Sequence, residues 1–179
     1  RHGLWSALLP SDVFFRLPPK ANHEARLQAE RDGRLAEYIG SPQEVDLEAL
    51  DRVLTEAVNP RVIEISCPSD CRQLPGRRYA RVPLDLSRCQ VVIVDLTYSM
   101  LLETPALRIF LESDYVERRE YIRRRNMARD PDQDLSFIMK VLAIEHERIL
   151  PTSALAHLTV DKSARTQPAC LKTWSQLSA

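Results

Sequence analysis

Glycine is scarce: Gly3, Gly33, Gly40 and Gly76 are the only four in 179 residues. No two have the spacing of a phosphate-cradling loop and none is followed by Lys, so the sequence contains neither a GxxxxGK[ST] loop nor a Gly-rich dinucleotide loop. Long apolar runs are also missing. The longest, around residues 91–102, is broken by Asp95, which excludes a membrane-spanning helix. Charge of one sign is missing too: Lys+Arg and Asp+Glu both number 25, and a zero balance gives no global nucleic-acid footprint. Cysteine is limited to Cys67, Cys71, Cys89 and Cys170. Two bridges would not sustain a secreted chain of this length, so the expectation is an intracellular reducing compartment. Cys67 and Cys71 bracket Pro-Ser-Asp without a nearby Cys or His pair to complete a zinc set, so no metal site is expected. Two free thiols or one local disulfide remain open. His146, between Glu145 and Glu147, does not make a two-His helical metal site and reads as a surface residue.

What is present is globular. Apolar residues make up 44% and charged residues 28%, enough for one domain with at most a tail. Lysine supplies four of the 25 basic residues and arginine the other 21; a compositional bias accounts for that, although Arg also grips carboxylates and phosphates with a planar fork. The first residue is Arg1, which leads to the expectation of a processed precursor or a fragment; an Arg-rich mitochondrial leader would suit the composition.

Along the chain, residues 4–10 read as a short strand and 11–16 as a loop. Asn22 is a candidate N-cap for a helix to about Ile39, stopped by Gly40-Ser41-Pro42. Asp46 opens a second helix with Leu47, Leu50, Val53 and Leu54 on one face, ended by Asn59-Pro60. Residues 61–66 alternate like a strand, and 67–88 form an irregular excursion or a hairpin around Pro75-Gly76. The continuous apolar run at 90–96 has the pattern of a strand buried on both faces. Residues 107–112 make another strand. Asp114 with Glu117 resembles a capping box for a helix to Arg129, and Asp130-Pro131-Asp132 breaks it. A further helix runs to about Glu147, Pro151 breaks the chain, and 157–161 is a last strand. This order predicts an α/β fold with a mostly parallel sheet and flanking helices over residues 1–161, followed by a tail at 162–179.

The segments also fall in the order of a family. RIFLESDYVERREYIRRR at 108–125 resembles the strand and Arg-rich lid helix of the uridine kinases and their phosphoribulokinase relatives. VVIVDL at 91–96 is similar to the strand before it, SPQEVDLEALDRVL at 41–54 to the Pro–Asp–Leu-helix pattern, ILPTSALAHLTVD at 149–161 to the closing segment, and SDVFFR at 11–16 to the substrate-side Asp followed by two aromatics. The resemblance implies a P-loop kinase-like α/β fold and phosphoryl transfer from ATP with Mg²⁺. It implies a carboxylate at the acceptor hydroxyl (Asp12), an acidic residue at a strand end (Asp95), and lid arginines (Arg119, Arg123, Arg124) over the transferring group.

The sequence departs from this pattern at three places. The Gly-rich nucleotide loop has no counterpart, Leu96 stands where the family has Gly, and residues 66–72 lack the aromatic of the nucleoside pocket. These departures predict a non-catalytic accessory or structural subunit of a larger protein assembly, in the mitochondrial matrix or otherwise the cytoplasm, with other subunits as partners and no cofactor. The alternative is a fragment of an active ATP- and Mg²⁺-dependent kinase of the uridine/cytidine type, N-terminally truncated or degenerate at its loop. The resemblance also places the strand leading into the nucleotide loop between those matched by 91–95 and 107–111. Without it, those two strands should pair directly or receive a partner's strand.

Overall fold

The computed structural model describes residues 5–9, 11–57, 62–67, 80–104, 107–129, 134–162 and 169–170. They form an α/β fold in two compact units, Arg1–Thr104 and Pro105–Ala179.

In the first unit β1 (Ser6–Leu9) leads through a 3-10 turn (Ser11–Phe14) into α1 (Pro19–Arg31), α2 (Leu35–Tyr38) and α3 (Leu47–Ala57). Then come β2 (Val62–Cys67), β3 (Ala80–Asp85), β4 (Val91–Val94) and a second 3-10 turn (Ser99–Leu101). The first helix starts earlier than its expected cap. Pro18 is the N-cap, in extended backbone, and Pro19 takes the first helical position, where its fixed φ suits the helix and its missing N–H would be unpaired anyway. Asn22 therefore lies one turn inside, buried. The helix expected to reach Ile39 divides instead at Gly33, whose φ of +69° is open to glycine at little cost. The α3 start holds as read: the Asp46 carboxylate accepts from Ala49 N at 3.0 Å, and Leu50 is fully buried.

β2 and β3 pair antiparallel, from Val62 opposite Asp85 to Cys67 opposite Ala80, so the excursion contains a strand. Pro83 cannot donate to a ladder, which suits an edge position. The Pro75-Gly76 turn, Asn59-Pro60, Cys71 and Asp130-Pro131-Asp132 lie outside the described residues. β1 and β4 pair parallel, with Leu8 opposite Ile93 and Leu9 opposite Val94. One departure is clear. β4 was expected to be buried on both faces, yet Val91 is 40% exposed, Ile93 48%, and Leu8 beside them 62%. A parallel strand is buried twice only where both faces are covered, and among the described residues this face is not.

In the second unit β5 (Ile109–Glu112) is followed by α4 (Tyr115–Arg129), α5 (Leu135–Ile149), a 3-10 turn (Leu150–Leu155), β6 (Leu158–Asp161) and β7 (Ala169–Cys170). β5 and β6 pair parallel, which requires a crossover; α4 and α5 supply it. β7, from the segment read as a tail, pairs antiparallel with β6. Both helices have carboxylate caps: Asp114 accepts from Glu117 N at 2.9 Å, and Asp134 from Ser136 N at 2.9 Å and Phe137 N at 3.2 Å. Phe137, Val141 and Leu142 put one face of α5 into the core.

β4 has β1 as its one strand partner among the described residues. β5 has β6. Each keeps an edge with no strand against it there, where direct pairing of the two or a partner's strand was expected. No helix among the described residues is long and apolar enough to cross a membrane.

Candidate functional site

Two of the expected site residues leave the same edge of one sheet. β1 and β4 run parallel with Leu9 opposite Val94, so their carboxyl ends coincide. β1 leads to the turn carrying Asp12, and Asp95 directly follows β4. Both acids are exposed. In open α/β sheets, ligands bind outside the carboxyl ends of the strands.

The Asp12 turn is anchored from below. Val13 and Phe14 are buried. Phe15 bridges to Val45, Asp46 N donates to Phe14 O at 2.8 Å and Arg16 N to Glu44 O at 2.9 Å. Arg16 also pairs with the Asp46 carboxylate at 3.0 Å. Asp12 therefore sits on a turn laced to residues 44–46. After Asp95 the chain alternates: Leu96, Tyr98 and Met100 are buried. Leu96, read as a branched side chain intruding where the resembled family has Gly, points into the core.

Residues 44–46 are in turn held by a network that the sequence did not reveal. Glu44 is fully buried. Its carboxylate accepts from Asn22 Nδ2 at 3.0 Å, Arg26 Nε at 2.5 Å and Gly40 N at 2.6 Å. Tyr38 donates to Asn22 Oδ1 at 3.0 Å. Burial, and then the Glu44 charge, push the Tyr38 phenol above its ordinary range, with Arg26 opposing. The partners of Glu44 lie up to 22 residues away, so no local pattern marks it. Gly40, at φ +66°, lies against the Tyr98 ring: a Cβ there would be 2.6 Å from a ring carbon. The network thus joins α1, the turn after α2 and the chain beyond β4.

The three arginines lie on α4, in the second unit, all exposed. Arg123 grips Glu120 with two nitrogens at 2.8 and 2.9 Å, and Arg124 adds a third bond at 2.8 Å. These bonds hold the Glu120 carboxyl at about 2 and raise Arg123. Arg118, one residue before Arg119, turns inward: its NH2 meets His146 Nδ1 at 2.9 Å. Tyr115 stacks on the same imidazole, ring centroids 4.4 Å apart. His146 is therefore a half-buried packing residue and not the surface residue expected, because α4 lies over it.

The residues can be tested against the ATP and Mg²⁺ that the sequence resemblance implies. Asp12 and Asp95 are hard oxygen donors, and magnesium is commonly held by one or two carboxylates together with substrate phosphates. Among the described residues the phosphates would find no Gly-rich loop: Gly33 and Gly40, with positive φ, both end helical segments. Among the described residues no three His, Cys, Asp or Glu side chains converge on a metal position. The segment compared with the nucleoside pocket, residues 66–72, lies outside the described residues but for Ser66 and Cys67 in β2.

No family model and no curated protein sequence matches the chain. Solved structures do. Phosphoribulokinase from Rhodobacter spheroides superposes with a TM-score of 0.64 at 14% identity, over 90% of this chain and 61% of that one. The YGR205w protein superposes with a TM-score of 0.50 at 13% identity, over 94% of this chain and 79% of that one. The chain thus spans about three fifths of the phosphoribulokinase length. Its fold is the α/β fold of phosphoribulokinase.

Proposed function

We propose that this chain carries the acceptor side and the arginine helix of an ATP-dependent small-molecule kinase of the uridine kinase and phosphoribulokinase type, and that residues 1–179 alone do not transfer phosphate. The observation that carries this reading is the emergence of Asp12 and Asp95 from the shared carboxyl edge of β1 and β4. In this reading Asp12 orients and deprotonates the acceptor hydroxyl, and Asp95 lies on the magnesium side. Arg119, Arg123 and Arg124 offset charge on the transferring group, since such transfer rests chiefly on positioning and charge neutralisation. The acceptor is a nucleoside such as uridine or cytidine. Such transfer also needs a nucleotide loop, and the edges of β4 and β5 that carry no strand among the described residues support a fold that accepts another strand.

A second reading has its own support. Glu120 already binds both Arg123 and Arg124, and Leu8, Val91 and Ile93 expose apolar surface. Both features suit a non-catalytic subunit docked in a larger assembly within a reducing compartment such as the mitochondrial matrix. The coding sequence upstream of Arg1 separates the readings. A strand followed by GxxxxGK[ST], in a chain that turns over Mg-ATP with uridine or cytidine and loses about 10²-fold or more on Asp12→Ala, supports the kinase. No such loop, or a loop-bearing chain without turnover, leaves the subunit reading. Turnover by residues 1–179 alone, abolished by Asp12→Ala, would overturn the claim that they are silent.

A further inference from the structure

We propose that Glu44 is a positioning residue, a single buried carboxylate that fixes Asp12 and Asp95 relative to each other. The catalytic meaning of that spacing rests on the kinase reading above; the coupling of the two acids does not.

A fully buried carboxylate needs a reason. Taking one out of water is costly unless it is paired and hydrogen-bonded, and well-packed apolar side chains often serve such a place as well or better. What a carboxylate adds is direction, because its donors must stand where its lone pairs point. At Glu44 those donors come from two elements. Asn22 and Arg26 reach Oε1 from α1, and the Gly40 N–H reaches Oε2 from the turn after α2.

From Glu44 one route runs to Asp12. The β1–β4 register fixes the strands only as far as Leu9 and Val94, and Asp12 lies beyond it, so its place depends on what holds the turn. Phe15 N donates to Asp12 O at 3.3 Å and Arg16 N to Glu44 O at 2.9 Å. The Arg16 side chain closes the same turn on Pro42 O and the Asp46 carboxylate. A second route runs to Asp95. Gly40, held by the Glu44 carboxylate, packs so closely on the Tyr98 ring that no Cβ fits between them. Tyr98 is buried three residues after Asp95, in a turn where Ser99 N donates to Leu96 O at 3.0 Å. The two routes share one turn, since Glu44 N and Val45 N both donate to Ser41 O at 3.0 Å. A displacement at Gly40 therefore reaches the Glu44 backbone, and both acids with it.

Glu44→Gln breaks this arrangement with almost no change of shape. Asn22, Arg26 and Gly40 all donate, and a glutamine amide has one oxygen and an NH₂ in place of two acceptors. With the oxygen kept on Asn22 and Arg26, the amide nitrogen faces the Gly40 N–H, donor against donor. Glu44→Asp keeps the charge and falls one methylene short of the same partners.

The test is the backbone amide residual dipolar couplings of residues 12–16 and 95–99 in the 179-residue chain, for the wild type, Glu44→Gln and Glu44→Asp. Leu86→Ala, at a buried aliphatic of the same unit, is the control. Both segments should reorient in both Glu44 variants, while Leu86→Ala should lower the melting temperature and reorient neither. Unmoved segments in the Glu44 variants, movement of one segment alone, or equal movement in Leu86→Ala overturns the proposal. Should the variants not fold, amide exchange in the unaltered chain decides it. The Gly40, Arg16, Asp46 and Ser99 amides should share one opening free energy as urea is added, and separate openings for Asp46 and Ser99 overturn it equally. In a loop-bearing chain that turns over, Glu44→Gln should lower kcat about 10²-fold at unchanged KM for the acceptor, and a rise in KM alone would count against positioning. Absence of turnover there sinks the kinase reading and leaves the measurements on residues 1–179 to decide the role of Glu44.

Discussion

Gly40→Ala should destabilise the first unit far more than Gly33→Ala, although the two glycines have nearly the same backbone. Their φ values are +66° and +69°. Each substitution incurs the cost of a side chain in left-handed backbone, about 1–2 kcal/mol. At Gly33 nothing lies within 4 Å of the new Cβ, so the cost ends there. At Gly40 the Cβ meets three Tyr98 ring carbons at 2.6, 3.0 and 3.1 Å. Tyr98 is 1% exposed and has nowhere to swing, so an overpacking cost of about 1–3 kcal/mol is added. The Gly40 N–H that donates to Glu44 at 2.6 Å would move with it. The expected losses are about 1–2 kcal/mol for Gly33→Ala and about 2–5 kcal/mol for Gly40→Ala. Urea denaturation resolves the difference, since a slope of about 1–3 kcal/mol per molar turns it into a midpoint shift of about 1 M. In a Tyr98→Ala background Gly40→Ala should cost no more than Gly33→Ala, giving a coupling of about 1–3 kcal/mol. Equal midpoint shifts for the two glycine variants, or no coupling to Tyr98, would refute the packing argument.

Glu44→Gln should cost about 3–5 kcal/mol, because it removes the charged partner of a buried ion pair with Arg26; Glu48→Gln, on the exposed Arg52 pair, is the control and should lower the urea midpoint barely at all. Arg123→Ala should leave the melting temperature unchanged within error, since its ion pair is solvent-exposed; a clear drop would mean that α4 carries a structural load there. The Glu120 carboxyl, held at about 2 against an ordinary 4.5, contributes stability that is complete above pH 4.5 and lost as pH falls through about 2. Replacing Arg123 and Arg124 together by Ala should return its NMR titration toward 4.5, and an unmoved midpoint would contradict the bonding described.

Much of the fold was legible because its signals are local. The caps Asp46 and Asp114, the period of Leu47, Leu50 and Leu54, and the order of strands and helices each act within a few residues. Asn22 misled because its amide, well suited to capping, is used at long range on Glu44, while Pro18 and Pro19 set the helix start. The candidate site was half legible. A carboxylate after a strand marks Asp12 and Asp95, whereas the support beneath Asp12 depends on Glu44, Gly40 and Tyr98, which only tertiary packing brings together. His146 was misread for the same reason: what makes it a packing residue is α4, folded back from some 30 residues earlier in the chain. The exposure of β4 was illegible because an apolar run records what a strand can bury and not what covers it.

The edge of β4 that carries no strand among the described residues also bears on how this chain behaves at concentration. A free strand edge is a template for any extended segment, and natural proteins blunt such edges with charge, proline or a bulge. β4 reads Val91-Val92-Ile93-Val94 and has none of these guards, with Leu8 in register beside it. A zero net charge adds no repulsion between molecules. Kept apart from whatever segment covers that face, residues 1–179 should cluster edge to edge in a concentration-dependent way, faster at high salt, and light scattering would follow it. Ile93→Lys, at a position already half in water, should slow that clustering without touching the buried core.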